Sequence, residues 1–462
     1  MSFIDLSIII IFLAGLCIYG LLQGRKNESS KDYFLGTGTT PWWIAMFSIV
    51  ATETSVLTFI SIPGLAYRGD WFFLQLGMGY IVGRILVSVF LIPQYFKSGV
   101  MSIYEVIGER FGTMVQRVSS MTFLITRVFA DGVRFLATAV IVQVITGWSI
   151  EISVLIIGIV TVVYTLSGGI KTILWVDSFQ FILYLLGGVI VIYTITSSSD
   201  FHGFESLFFA NKMKIFRFST DNMFTDTWFF GSAFIGGTLL SFASHGADHM
   251  MVQRVLSCKN ISDARKAMIG SGFFVFIQFV IFLFAGSLIW SLFGGVEIAK
   301  DREFSTYIVN NLPVGLKGVL LAGVLSAAMS TLSSSINSLS SSTIADWFGK
   351  SMDLKLAKKV SFFWAIILIS MALVFDEGNT SIVVMGLRIA SYTYGGLLGL
   401  FLLTKFNIEF HPFSIILGLI SSLASVFYMA SIGLAWTWFI GFSVLVNITV
   451  ALSSNKIFSI NK

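Results

Sequence analysis

Ser330-Thr331-Leu332-Ser333-Ser334-Ser335-Ile336-Asn337 lies inside an apolar run, residues 318–347, that is long enough to cross a bilayer. Lipid offers a hydroxyl no hydrogen bond, so such a run is tolerable at that depth only where it faces the protein interior and a polar neighbour. Ser326, Ser330, Ser333, Ser334, Asn337 and Ser341 recur at spacings of three and four, which aligns them on one helix face. The stripe predicts the lining of a path for an ion or a solute.

The rest of the chain supplies a membrane setting for that path. Of 462 residues, 11% are charged and 56% apolar, and the mean hydropathy is +0.88. At ~20 residues per crossing, the sequence predicts thirteen spans, at about 4–23, 42–66, 71–96, 118–146, 150–166, 173–196, 227–249, 268–293, 318–347, 357–375, 380–403, 412–430 and 434–453. The expectation is an all-α integral membrane protein, one transmembrane domain over 1–462 with no sizeable soluble part. Residues 4–23 have no basic stretch ahead of them and no A-x-A-like cleavage site, so they read as a retained first helix. Cys17 and Cys258 provide neither a disulfide framework nor a metal spacing.

The net charge of +5 and pI near 9.0 do not point to nucleic acid, because the basic residues are dispersed among short inter-helix loops. With the N-terminus outside, the internal loops and tail hold eighteen of the 29 Lys and Arg, among them Arg25, Lys26, Lys350 and Lys462, and the external segments hold seven. The positive-inside rule therefore predicts an external N-terminus and a cytoplasmic C-terminus in a multi-pass cell-membrane protein. The remaining four, Arg84, Arg127, Arg134 and Arg388, fall within spans, as do Glu53, Asp131, Asp177 and Asp248. A charge at that depth needs a partner or a duty.

Two spans carry interruptions. Ala51-Thr52-Glu53-Thr54-Ser55-Val56-Leu57-Thr58 sets hydroxyls and β-branched residues around a carboxylate, poor helix material whose unwinding would free carbonyls for a cation. An unbroken helix with its hydroxyls bonded back to the backbone is the alternative. The seventh span has Gly236-Gly237 and then Ser244-His245-Gly246-Ala247-Asp248-His249. Five spans run from each interruption, an odd number that inverts the second set relative to the first, which predicts inverted repeats at 42–196 and 227–404 followed by two helices in 405–462. His245, Asp248 and His249, at i, i+3 and i+4, also match a weak zinc pattern on one helix face, against a solute or gating role or polar packing. Arg127, Asp131 and Arg134 fit an intrahelical ion network or direct contact with a solute.

Lys31-Asp32-Tyr33-Phe34-Leu35-Gly36, Ala51 through Trp71, Tyr164-Thr165-Leu166-Ser167-Gly168-Gly169-Ile170, Trp175-Val176-Asp177-Ser178-Phe179-Gln180, Val252-Gln253-Arg254 and the serine stripe carry a resemblance that covers roughly residues 31 to 405. In these motifs the chain resembles the sodium/solute symporters, which include sodium–glucose, sodium–sialic acid, sodium–proline and sodium–iodide carriers. The resemblance implies a LeuT-type fold, with one helix before two inverted five-helix repeats and two after. It implies a first sodium site from the carbonyls of Ala51, Thr54 and Ala327 with the hydroxyls of Ser330 and Thr331, and in some members a second from Asp177, Ser330, Ser333 and Ser334. Oxygen donors of this kind suit a hard cation. The implied solute positions include Glu53, Ser55, Thr58, Phe73 and Gln75, and the in-span groups Asp131, Arg134 and His245 join them as candidates. The chain departs from the family at Glu53, where a neutral residue is expected, and at Ala130, which replaces the arginine of sialic acid carriers while Arg127 and Arg134 flank it by a turn.

The expected activity is sodium-coupled import of a small polar organic solute by alternating access, with a sugar or acidic sugar derivative favoured over an amino acid, a monocarboxylate or another small organic ion. Sodium is the only ion implied, no other cofactor is expected, and a monomer would suffice. A channel and a membrane metalloenzyme built on His245, Asp248 and His249 are the rivals, but nothing in the sequence resembles a selectivity filter and the repeats favour a carrier.

Overall fold

The computed structural model describes residues 2–24, 29–36, 38–54, 56–199, 201, 203–349, 353–374 and 382–460. Ser55, and Arg25, Lys26, Lys350 and Lys462 of the charge count, lie outside the described residues. Among the described residues helices account for nearly all of the fold, and a single bridge pairs Thr40 with Cys258. The principal helices are α1 (Phe3–Gly24), α2 (Trp42–Glu53), α3 (Val56–Arg68), α4 (Phe73–Leu86), α5 (Tyr104–Phe111), α6 (Thr113–Thr146), α7 (Ile150–Thr196) and α8 (Phe230–Gly246). After them come α9 (His249–Leu256), α10 (Ile261–Leu292), α11 (Glu303–Asn311), α12 (Leu316–Thr343), α13 (Leu354–Val374), α14 (Ile382–Leu403), α15 (Pro412–Ser431) and α16 (Phe439–Ile460).

Among the described residues nine helices are long and apolar enough to cross a membrane, or ten if the bent pair α2 and α3 is one span. The thirteen expected spans are therefore not matched one for one. Three physical features account for the gap. α7 counts once although its 47 residues would reach about 70 Å, twice the hydrocarbon core. Gly169 divides it, with φ 67° and ψ −169°, and a Cβ there would press on the Tyr33 carbonyl. α6 carries Arg117, Arg127, Asp131 and Arg134, and α8 has 17 residues.

Both predicted interruptions are real breaks. α2 and α3 meet at 59°, so the unbroken-helix alternative fails. The chain leaves α8 at Gly246 and restarts α9 at His249, with the Asp248 side chain accepting from the Met250 N–H as its N-cap. α8 lies against α4 at backbone contact: a Cβ on Gly237 would meet the Leu76 carbonyl, and one on Gly79 the Phe234 carbonyl.

Unlike a water-soluble bundle, the molecule is apolar on its outer surface as well as in its core. α1 presents Ile10, Ile11 and Leu22 outward, a surface suited to lipid. α12 is the central helix, with every residue from Leu320 to Ser342 buried and α1, α2, α6, α7 and α13 packed around it. The hydroxyl run therefore has protein on all sides rather than along one stripe. Ser326, Ser335 and Ser340 donate to carbonyls four residues back, and Ser333, Ser338 and Ser341 to carbonyls three back. Five of the hydroxyls also reach other elements: Ser330, Ser334, Ser335, Ser341 and Ser342.

Candidate functional site

The two helix breaks face a small chamber of about 50 Å³, whose walls come from α2, α3, α4, α6, α8, α9, α10 and α14. That is room for one or two waters, against the ~300–1,000 Å³ typical of pockets that hold drug-sized ligands. Glu53, Thr58, Phe73, Arg134 and His245 of the predicted solute residues line it. Gln75 and Asp131 do not. The Gln75 amide donates to the carbonyls of Phe72 and Trp228 (3.2 and 2.9 Å) and accepts from the Arg217 N–H at 3.1 Å. It thus braces the chain around α4 instead of facing the chamber.

Glu53 has a partner that the sequence reading passed over. Arg84 of α4, completely buried, forms a close ion pair with its carboxylate, and His245 Nε2 stands 3.6 Å from the same oxygen. Arg84 also donates to Ser271 Oγ at 2.5 Å. The signal was present, since Arg84 was one of four basic residues within spans; which acid it answers depends on how α2 crosses α4, and that crossing is not written in either helix.

On the facing wall a second charge network forms. Arg127 lies 3.4 Å from Asp131 and 3.3 Å from Asp248, and Arg134 lies 3.6 Å from Asp131. Asp131 also accepts from Ser335 of α12, and Asp248 from the Tyr394 hydroxyl of α14 at 2.6 Å. The network expected within α6 therefore extends to three other elements. Arg134 keeps 11% of its side chain accessible, and its Nη1 has no hydrogen-bond partner.

The shared face expected for His245, Asp248 and His249 does not exist, because the helix breaks between the first and the second. His245 points to Glu53, Asp248 to Arg127 and Tyr394, and His249 Nε2 pairs with Ser341 Oγ at 2.8 Å. Among the described residues no three His, Cys, Asp or Glu side chains are grouped to hold a metal ion.

Behind the break in α2, oxygen atoms gather where α2, α7, α9 and α12 meet. Asp177 accepts from Ser330 Oγ at 2.6 Å on one oxygen, and from Ser48 Oγ at 2.7 Å and Thr52 Oγ1 at 3.3 Å on the other. Thr52 Oγ1 also lies 3.3 Å from Ser334 Oγ. Arg254 of α9 approaches the same carboxylate at 3.4 Å and bonds Ser334, a cation absent from the sequence reading of this cluster. Asp177 sits eight residues past Gly169, within α7, and reaches three other helices. Ser333 donates to the Ser330 carbonyl at 3.0 Å, Thr331 Oγ1 to the Ala327 carbonyl at 3.4 Å, and Thr54 Oγ1 contacts the Tyr184 hydroxyl. Ala51 and Thr54 close the last turn of α2, where helix carbonyls lose their intrahelical partners.

Broken helices that meet at a buried, charged chamber inside a shell of lipid-length helices define a membrane transporter. The chain matches the sodium:solute symporter family over residues 33–410 and belongs to it: it is a sodium-coupled symporter of a small organic solute. It is 26% identical to a sodium/sialic acid symporter of Aliivibrio fischeri over 93% of this chain and 88% of that protein, and 26% identical to one of Proteus mirabilis over 92% and 89%. A human sodium-coupled monocarboxylate transporter is 27% identical over 75% of this chain and 58% of its own length. The fold is that of a solved sodium-coupled sialic acid symporter in a substrate-bound outward-open state, with a TM-score of 0.89 at 24% identity over 99% of this chain and 98% of that one. A nucleobase-cation symporter gives 0.59 at 14% identity, over 92% and 94%.

Proposed function

We propose that the transported solute is an acidic sugar and that Arg134 binds its carboxylate. The observation that carries this reading is the position of Arg134 at the chamber wall with 11% of its side chain accessible: among the described residues its one ion pair is the 3.6 Å approach to Asp131, while Arg84 is held by Glu53 and Arg127 by both Asp131 and Asp248. Arg134 stands one turn from Ala130 and presents the fork that matches a carboxylate. The names of the two bacterial relatives support the same substrate class. Glu53, Thr58, Phe73 and His245 complete the wall, Ser55 is a further solute-binding residue, and Gln75 and Asp131 act as supports behind the wall.

The first sodium is held by Ala51, Thr54, Ala327, Ser330 and Thr331, and the second by Asp177, Ser330, Ser333 and Ser334. Each ion brings ~2.3 kcal/mol per 100 mV and ~1.4 kcal/mol per tenfold gradient, so two supply roughly 7 kcal/mol. The chain crosses the membrane thirteen times, as repeats 42–196 and 227–404 with one helix before and two after. Its N-terminus is outside, its C-terminus is cytoplasmic, and it works as a monomer without an enzymatic reaction.

Uptake of N-acetylneuraminate into proteoliposomes under a sodium gradient tests the reading. A hydrogen bond to a charged group is worth ~1.5–3 kcal/mol, so Arg134→Gln should raise KM by roughly 10- to 100-fold and spare the sodium half-saturation. Thr331→Ala should nearly abolish sodium-driven uptake, and Asp177→Asn should make it less steep in sodium. Transport of a neutral sugar or a short monocarboxylate in place of N-acetylneuraminate, indifferent to Arg134→Gln, would overturn the acidic-sugar assignment.

A further inference from the structure

We propose that Asp346 and the hydroxyls around it form a waypoint for sodium near the cytoplasmic end of the molecule, distinct from the ion sites at the helix break. Asp346 lies in the π-helical turn Ile344–Phe348 that closes α12, with 4% of its surface accessible. One carboxylate oxygen accepts from Ser102 Oγ at 3.0 Å and Ser342 Oγ at 2.7 Å, and the other from Gln116 Nε2 at 2.8 Å. Ser342 Oγ is in turn 3.0 Å from Ser120 Oγ. Three segments thus converge on the carboxylate: the turn before α5, the start of α6 and the end of α12.

The charge balance sets this group apart. Glu53 is answered by Arg84, Asp131 by Arg127 and Arg134, Asp177 by Arg254, and Asp248 by Arg127. Asp5 instead accepts the Gly315 and Gly318 N–H groups at 2.8 and 2.9 Å, at the positive end of α12. Asp346 makes no ion pair among the described residues, and it sits at the opposite, negative end of the same helix. Arg117, next to Gln116, stacks over the Trp347 ring at 5.6 Å instead of pairing with it. A buried carboxylate bonded only by neutral donors at a helix C-terminus calls for a cation, and its two oxygens with the neighbouring serine hydroxyls suit a small hard one.

Its position ties it to transport. Ser330, Ser334, Ser338, Ser342 and Asp346 are spaced by four, the interval that forms a continuous ridge along a helix, and all five are buried. The ridge starts at the Asp177 cluster and ends at Asp346, about 18 to 24 Å further along at ~1.5 Å per residue. A sodium ion released inward from Ser330 and Ser334 descends this row and pauses at Asp346 before reaching the cytoplasm. The inference rests on the sodium sites and the orientation proposed above.

Initial uptake rates into proteoliposomes, with internal sodium varied at fixed external sodium, provide the test, because sodium that rebinds from inside slows turnover. Asp346→Asn should raise the half-inhibitory internal sodium about tenfold, leave the external half-saturation unchanged, and be rescued by Asp346→Glu. Ser342→Ala should shift the internal curve several-fold in the same direction, which keeps the test available if Asp346→Asn fails to assemble. Unmoved internal curves in these variants, or a response to internal pH alone, would overturn the waypoint. A shift confined to external sodium would overturn the orientation with it, whereas uptake by the unmodified protein that ignored sodium would remove the ion sites themselves.

Discussion

At the residue scale, Glu53 shows how a position marked for one role acquires two. Its composition context predicts a carboxylate exposed to solute, and the structure makes it the partly accessible half of an ion pair with the fully buried Arg84 at the chamber wall. Removing one partner of such a pair costs about 3–5 kcal/mol, because the other charge is left uncompensated. Glu53→Gln keeps an acceptor for Arg84, so its cost should fall at the lower end of that range and appear as a clear drop in Tm alongside altered uptake. Glu53→Gln combined with Arg84→Met should recover most of the loss, a strong coupling in a double-mutant cycle. Additive losses of Tm would dissolve the pair. The sequence alone supports only the uptake effect, since it cannot pair residue 53 with residue 84.

At the element scale, the far end of α3 is tied to α11: Arg68 forms a close ion pair with Glu303 and lies 3.5 Å from Asp301. Glu303 is outside the membrane spans, and burial lifts its carboxyl above the ordinary 4.5 while Arg68 pulls the other way. With the folded value raised, the protonated form favours the fold; that contribution is complete below 4.5 and fades as pH climbs through the raised value. Tm should therefore decline across that window. Glu303→Gln should flatten the decline and Arg68→Met should steepen it, as followed by thermal unfolding in detergent from pH 4 upward. Superimposable profiles for Glu303→Gln and the unmodified protein would show that this carboxyl does not titrate with folding. No motif announced this tie. α11 is a nine-residue helix of mixed polarity, and its docking on α3 depends on a contact more than 230 residues apart in the chain.

At the scale of the whole molecule, orientation is the property that a sum over loops predicts best, since it depends on totals and not on any pairing. Glu205, exposed in the segment between α7 and α8, should be reachable from outside as a cysteine, and Lys456, exposed near the end of α16, should not. Cys258 should leave the background low: it is 3% exposed and burial pushes its thiol up to about 12. Labelling of Glu205→Cys and Lys456→Cys with an impermeant maleimide on intact cells distinguishes the two faces, and the reverse pattern would invert the topology.

Class, family and the places where helices break were legible in the chain because each rests on local quantities. Apolar length sets a span, a β-branched and hydroxyl-rich stretch weakens a helix where it stands, and a motif is a run of neighbours. Glu53, Asp177 and the serine run could likewise be marked as costly at membrane depth. What the tertiary structure decided is who answers whom. Arg84 for Glu53, Arg254 for Asp177, Tyr394 for Asp248 and the neutral cage of Asp346 are pairings across 31, 77, 146 and 244 positions. A charge or hydroxyl carries no label for its partner; the partner is set by helix crossings, and those follow from backbone contacts such as Gly237 on Leu76 that no single stretch of sequence contains.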